Sequence, residues 1–523
     1  MTKPAFPIFE MVICTKAEGC LPSRRRWHRL GSDMKILLVC PESPETFWSF
    51  KQVLRIISRK ALLPPLGLLT VAALLPAGWQ KRLVDMGVRP LRDEDILWAD
   101  YVFLSAMRIH KDSVDNVVAR CQKLGARIVA GGPLFTAGYE RAPEIDHLVL
   151  DEAEVTLPMF LKDLAEGRPQ PLYRAPARAE LKDTPVPAWD LVDMKKYACM
   201  PIQYSRGCPF SCDFCDVTWL FGNQMRLKTT SRLLTELESL YTRGWRGLVF
   251  IVDDNFIGNR KILKEEVLPA LIEWMDRRQH PFVLNTQVSI NLSDDEELMR
   301  LMVRAGFDTV FVGIETPDDR SLAECHKAQN RHRDLVASVR KMQSLGLQVQ
   351  GGFILGFDSD TCSVFGSLAQ FIQESGIVTA MVGLLNAPIG TKLYERLVQE
   401  NRLLRRATGD NTDLSINFVP RMNYDELVAG YRWVVRSIYS HEVFYERLRA
   451  FLETYRPLRQ GRGHSHGVRA LLKSMWFLGI RHPGRLHYWR LLLWSLRRRP
   501  QHFALALTLA VQGFHFRRVF AHC

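Results

Sequence analysis

The stretch Tyr-Ser-Arg-Gly-Cys-Pro-Phe-Ser-Cys-Asp-Phe-Cys, residues 204–215, sets Cys208, Cys212 and Cys215 in a Cys-x3-Cys-x2-Cys spacing. Thiolates are how proteins hold iron–sulfur clusters. Three on one loop leave one iron of a four-iron cluster without a protein ligand, and an open metal position marks a reactive site rather than a structural staple. A zinc knuckle or chance could also give three close cysteines. Zinc sites, however, use paired Cys-x2-Cys or Cys/His groups with a fourth ligand, and no second pair occurs. The remaining cysteines (Cys14, Cys20, Cys40, Cys121, Cys199, Cys325, Cys362 and Cys523) are scattered. They read as buried apolar residues or free thiols in a reducing compartment, not as a disulfide framework.

From Ile202 onward, strand and helix patterns alternate six times, the signature of a β/α barrel or partial barrel. The predicted strands are 202–205, 248–252, 282–288, 308–314, 347–355 and 377–385. Between them, Leu233, Leu234, Leu237, Leu240 and Tyr241 share one helical face ended by Gly244. Ser293 with Glu296 reads as a capping box. Barrel chemistry sits where the strands end. There the sequence supplies the cysteine loop, Asp253, Asp254 and Asn255, then Asn285 and Gln287, Glu315, the glycines Gly351, Gly352 and Gly356, and Asn386. A single acid at such a place could merely cap a helix, as Asp253 and Asp254 could; several around one mouth point to a site.

Upstream, residues 34–172 alternate short apolar runs (Lys35–Val39, Tyr101–Ser105, Arg127–Ala130, Leu148–Leu150) with helical stretches, which indicates a parallel sheet covered by helices. Gly131, Gly132 and Pro133 follow the third run, where a ligand would approach. Pro185, Val186 and Pro187 mark a linker, taken as 173–198. The barrel is assigned to 199–400, a helical region to 401–523, and a disordered extension, or an early start codon, to 1–33.

With 523 residues, 47% hydrophobic and 24% charged, the chain is long enough for two or three globular domains. No secretory signal is evident, so a cytoplasmic protein is expected. Charge is concentrated at one end. From Thr454 to Cys523 there are thirteen Lys or Arg and no Asp or Glu, against a net +14 for the whole chain. The same tail is rich in Leu, Trp and Phe, in runs too short to span a bilayer. Basic amphipathic helices of this kind can lie on an anionic membrane surface, pack against the protein's own body, or bind RNA phosphates. No RNA-binding motif supports the last.

The cysteine spacing resembles the signature of the radical S-adenosylmethionine (SAM) enzymes. In that family the open iron binds the amino and carboxylate groups of SAM, and an electron from the cluster breaks a sulfur–carbon bond to give a 5'-deoxyadenosyl radical. The upstream order Met-Lys-Ile-Leu-Leu-Val-Cys-Pro-Glu, Val-Phe-Leu-Ser-Ala, Val-Ala-Gly-Gly-Pro, Glu-Ala-Glu is similar to the cobalamin-binding domain that precedes many of them. Two departures stand out. Histidine-ligating cobalamin domains carry Asp-x-His-x-x-Gly, whereas His110 has Arg108 two before it and Ser113 three after, so His110 reads as an ordinary polar residue. The family's Gly-Glu-Ala-Glu is here Asp151-Glu152-Ala153-Glu154.

The stretches at 250–259, 310–317, 351–358 and 381–387 resemble the cobalamin-binding radical SAM proteins with a C-terminal extension, near which the hopanoid methylases belong. The resemblance implies a Rossmann-like domain, a partial (β/α)6 barrel and a mostly helical C-terminal region. It implies cobalamin contacts at Ser105, Gly131, Gly132, Pro133 and Glu154, and SAM contacts at Asp254, Gln287, Glu315, Gly351, Gly352 and Asn386. Phe210 and Phe214 would shield the cluster. The expected activity is methyl transfer from methylcobalamin to an unactivated carbon, with a polycyclic lipid as one candidate substrate and a flavodoxin or ferredoxin as electron donor. A peripheral place on the inner face of the membrane would suit it. The rivals are a cobalamin-assisted rearrangement or ring closure, and a non-enzymatic cluster or cobalamin sensor. A methylthiotransferase is disfavoured, since no second cysteine set is visible.

Overall fold

The computed structural model describes residues 33–175, 177–410, 412–457 and 468–521; the expected extension lies outside them but for Asp33. The first sheet holds β1 (Lys35–Cys40), β2 (Gln80–Asp85), β3 (Tyr101–Ser105), β4 (Arg127–Gly131), β5 (His147–Val149) and β6 (Leu172–Tyr173), all parallel. Their order is β2-β1-β3-β4-β5-β6. Helices cover both faces, so Ile36 to Val39 are wholly buried. Sequence patterning misses β2 and β6. The first, Gln-Lys-Arg-Leu-Val-Asp, is an edge strand with Gln80 and Arg82 exposed, and it lacks the apolar run that marks a central strand. The second has two residues and crosses the expected domain boundary at 172.

The second sheet opens with β7 (Cys199–Ile202), is interrupted by an antiparallel ribbon of β8 (Ser205–Arg206) and β9 (Arg226–Leu227), and continues with β10 (Leu248–Ile251), β11 (Val283–Val288), β12 (Phe307–Glu315), β13 (Gln348–Leu355) and β14 (Thr379–Leu384). The order β14-β13-β12-β11-β10-β7 is entirely parallel and open, a six-stranded partial barrel. The expected α/β class holds. The first barrel strand lies earlier than the predicted 202–205, because Pro201, with no N–H, is tolerated in an edge strand. The expected capping box at Ser293 is also corrected: Asp295 caps the helix Glu296–Arg304, its Oδ1 accepting from the Leu298 N–H at 3.0 Å.

An open barrel exposes two strand edges, and each is covered. On β14, the Ala380 N–H donates to Tyr439 Oη at 3.1 Å, that hydroxyl donates to Ala380 O at 2.8 Å, and Tyr431 donates to Val382 O at 3.2 Å. On the other edge, Ala198 N–H donates to Ala61 O at 3.1 Å and Cys199 N–H to Leu62 O at 2.9 Å. The helical region thus closes one edge and the first domain the other, which removes the unpaired backbone that invites aggregation.

The tail is largely part of this structure. In the final helix, Phe503–Phe520, the side chains of Ala506, Leu509, Ala510, Phe516 and Phe520 are buried. Phe516 stacks on Phe47 at 4.2 Å between ring centroids, and His515 Nε2 donates to Phe47 O at 3.1 Å. For this helix self-packing, not a membrane surface, is the outcome. Removing a fully buried phenylalanine costs about 3–5 kcal/mol, so Phe516→Ala should lower the midpoint of urea unfolding by a corresponding amount; an unchanged midpoint would contradict this packing.

Candidate active site

The cysteine loop leaves the barrel after β7 and is pinned at its root. Asp253, fully buried after β10, accepts from the Tyr204 and Ser205 N–H groups at 2.8 Å each and from Ser205 Oγ at 2.6 Å. Two residues before Cys208, Arg206 donates to Glu152 Oε2 at 3.1 Å and to Glu154 Oε1 at 2.8 Å. Arg226, on the paired strand β9, grips both oxygens of Glu152 at 2.6 and 2.7 Å. Burial alone would raise both glutamate carboxyls, but Arg226 and Arg206 beside Glu152, and Arg206 beside Glu154, outweigh it and hold them below the usual value. Gly207 has φ +94, and a Cβ there would meet Gln224 O at 2.9 Å, so the loop turns where only glycine fits.

Cys208, Cys212 and Cys215 are half-buried. Burial pushes all three thiols up, Cys215 to about 12, while the Lys327 ammonium acts against this on each. Lys327 is itself largely buried; it pairs with Glu315 and lies 5.9 Å from the Phe214 ring centroid. Gln329 Nε2 stands 3.9 Å from Cys212 Sγ. Among the described residues no three ligating side chains converge on a point as they would round a single ion. In a cluster each thiolate binds a different iron, and Lys327 brings a positive charge to all three sulfurs.

Beside the loop lies a cavity of about 2090 Å³, bounded by the carboxyl ends of the first sheet and by the barrel interior. Ser105, Gly131, Gly132, Pro133 and Glu154 border it, as do Asp254 and Gln287. On the first sheet this is the region beyond β1 and β3, where strand order reverses and ligands of such folds bind. Gly132 has φ +93, and a Cβ on it would sit 2.8 Å from Ser105 Oγ. Asp151 adopts φ +62, a left-handed conformation that explains why glycine suits the position and that aspartate tolerates. Glu154 is engaged by Arg206 rather than free. His110 donates through Nε2 to Ser43 Oγ at 2.7 Å while its Nδ1 accepts from Met107 N–H at 3.1 Å, and burial drops its pKa to about 4. It is a satisfied neutral histidine. Asp254, between the cavity and Cys208, is raised to about 7 by burial and by the Asp253 and Asp216 carboxylates.

The remaining expected SAM contacts do not border the cavity. Glu315 ends β12 beside Lys327. Gly351 faces the helix layer against Phe353 and Ile377, and Gly352 makes room for the Phe311 ring. Asn386 donates to Ser415 O at 3.1 Å and Leu384 O at 3.3 Å, while its Oδ1 is buried without a partner. Sequence reasoning missed Arg206, Arg226, Lys327 and Gly313. A Cβ on Gly313 would collide with Glu315 Oε1 and lie 2.8 Å from Lys327 Nζ. That glycine was visible in Val-Phe-Val-Gly-Ile-Glu; the arginines and the lysine carry no local signal, because their partners are far away in the chain.

Family models match residues 202–372 as the Radical SAM superfamily, 53–161 as the B12 binding domain and 391–523 as a domain of unknown function, DUF4070. An uncharacterized methyltransferase of Synechocystis is 37% identical over 92% of this chain and 91% of its own length. The hopanoid C-2 methylase of Rhodopseudomonas palustris is 33% identical over the same shares, 92% and 91%. The chain belongs to the cobalamin-dependent radical SAM methyltransferases. Two solved structures share its fold. OxsB, a cobalamin-dependent SAM radical enzyme with aqua-cobalamin and SAM bound, gives a TM-score of 0.59 at 14% identity, covering 94% of this chain and 83% of that one. TsrM of Kitasatospora setae, a radical SAM methyltransferase, gives 0.53 at 15%, covering 71% and 77%.

Family membership makes a [4Fe-4S] cluster, SAM and cobalamin the cofactors. We assign the cluster to Cys208, Cys212 and Cys215. Cys212→Ala should therefore take anaerobically reconstituted protein from about four irons per chain to a small fraction of that. Iron content equal to wild type would refute the assignment.

Proposed function

We propose that this chain methylates an unactivated carbon of a polycyclic lipid. The observation that carries the reading is the form of the cavity. It joins the loops beyond β1, β3 and β4 to a barrel interior walled by Trp48, Phe250, Phe311 and Met381, a large, mainly apolar space. Bulky ring systems without charge suit such walls, and one relative is a hopanoid C-2 methylase. When bound, the cluster supplies the electron that cleaves SAM, and methylcobalamin supplies the methyl group. The side chains position and shield. Lys327 offsets the thiolate charge, Asp253 and Arg206 fix the loop, and the aromatic walls keep water from the reacting carbon. A flavodoxin or ferredoxin would serve as electron donor.

The discriminating experiment gives anaerobic, reconstituted protein a reductant, a pentacyclic triterpene and SAM with a trideuteromethyl group. The expected result is 5'-deoxyadenosine together with a lipid product carrying three deuterium atoms. Deoxyadenosine with an isomerised, unlabelled lipid would establish a rearrangement instead, and no SAM cleavage at all would favour a sensor.

We further propose that the protein meets its substrate at an anionic membrane surface, through the part of the tail that is not buried. Val468, Leu472, Trp476 and Ile480 recur every four residues and are 74%, 59%, 47% and 55% exposed. Arg469 stands among them and Arg481 and Arg485 follow, a pattern suited to anionic head groups. No described helix is long and apolar enough to cross a membrane. Each exposed apolar side chain contributes on the order of 1 kcal/mol at an interface, so Trp476→Ser with Ile480→Ser should weaken binding to phosphatidylglycerol-containing vesicles roughly tenfold or more. Equal binding in a sedimentation assay would sink the proposal.

A further inference from the structure

The axis of the barrel is hollow. Along β11, Leu284, Thr286 and Val288 face the helices and are buried, whereas Val283, Asn285 and Gln287 alternate with them and keep partial exposure. The same alternation places Phe250 on β10, Thr309 and Phe311 on β12, Gln350 on β13 and Met381 on β14 around one lumen. A closed eight-stranded barrel fills this space with layers of side chains. Here the cavity continues from the cofactor-facing loops to the amino ends of the strands, where Asp308 borders it together with Tyr455, His502 and Leu505 of the helical region.

Two acceptors stand along this lumen, Asn285 and, at the register shift between β11 and β12, Asp308. Asp308, second residue of β12, accepts from Thr309 Oγ1 at 2.8 Å, and among the described residues no cation pairs with it. Burial raises its carboxyl to about 6. Asn285 Oδ1 is buried with no hydrogen-bond partner. Both groups border the same passage, a carboxylate without a cationic partner at one end and an amide oxygen part-way along, and are placed to accept from a donor that arrives with a ligand.

We infer that Asp308 receives a hydrogen-bond-donating end of the substrate, a hydroxyl or an amine, at the amino end of the barrel. The inference rests on the lipid-methylation reading and deepens it. The substrate is then amphiphilic. Its apolar rings lie along Phe250 and Phe311, and the carbon that is methylated lies far from the polar end. Asp308 and Glu315 bracket the length of β12, seven residues apart, so that separation is on the order of 20 Å. Asn285 offers a second acceptor part-way along.

The test compares three probes of one ring system: a pentacyclic triterpene hydrocarbon, its terminal alcohol and its terminal amine. Labelled methyl transfer is measured for wild type, Asp308→Ala and Asp308→Asn. Iron content and the cluster and cobalamin spectra serve to show that each variant is folded and loaded. Wild type should favour the alcohol or the amine over the hydrocarbon by tenfold or more in kcat/KM, and the better of the two identifies the head group. Asp308→Ala should abolish that preference mainly through KM, and Asp308→Asn should restore part of it for the alcohol but not for the amine. If wild type methylates all three equally, or Asp308→Ala keeps the preference, the role of Asp308 is overturned while lipid methylation stands. If SAM is cleaved but none of the three is methylated, the lipid reading falls and takes this inference with it.

Discussion

The buried ion network of Glu152, Glu154, Arg206 and Arg226 is the interaction on which the geometry of the site depends. Its carboxylates belong to the start of the helix Ala153–Ala165 that follows β5 of the first domain, and its guanidinium groups to the ribbon that carries the cysteine loop. Arg206 is 9% exposed and Glu152 4%. Such a network adds little net stability compared with an apolar contact, yet losing one member strands a buried charge at a cost of about 3–5 kcal/mol. Its effect is therefore positional. It fixes the first domain's cavity-lining loop against the cysteine loop with directional, bidentate bonds that a greasy contact could not match. Asp253 secures the same segment from the barrel side, so the cysteine loop is held from two domains at once.

The open barrel makes the other two regions structural partners rather than appendages. With six strands the sheet does not close, and β7 and β14 each retain an edge. The first domain covers one edge through Ala61 and Leu62, and Tyr431 and Tyr439 cover the other. Trp48 of the first domain packs edge-on against Phe311 inside the barrel, at 5.3 Å between centroids, while Phe47 beside it stacks on Phe516 of the tail. All three regions thus meet around the cavity. A hollow axis is the consequence: the side chains that would fill a closed barrel are replaced by a wall borrowed from the neighbouring regions.

Much of this was legible in the sequence because it rests on local period and local spacing. The central strands announced themselves by apolar runs, the cysteine loop by the spacing of its three thiols, and Gly131 and Gly132 by their place at the end of β4. What stayed hidden depends on partners remote in the chain. β2 is polar because it is an edge strand, and β7 is displaced because a proline sits in it. Lys327 and Arg206 look like ordinary surface cations until Glu315, 12 residues away, and Glu152, 54 residues away, are brought beside them. The tail misled for a related reason. Its composition is that of a membrane-surface helix, and part of it keeps that exposed face, but Phe503–Phe520 finds its apolar partner in Phe47, 469 residues before Phe516.

Strain at the end of β12 completes the picture of a site prepared in advance. Glu315 has φ +67, a conformation that costs a non-glycine residue about 1–3 kcal/mol, and the pairing with β13 slips between Gly313 and Glu315. Three features hold the carboxylate there. Asn330 Nδ2 donates to Gly313 O at 3.0 Å and to Ile314 O at 2.9 Å, Lys327 pairs with the carboxylate, and Gly313 leaves the space that a Cβ would occupy. A bulge that turns the last side chain of a strand is a recurrent way to aim a functional group. Because the surrounding bonds are already made, the carboxylate and the ammonium next to Cys212 are held in one arrangement. The strain is set by folding, and the burial of the barrel core sustains it.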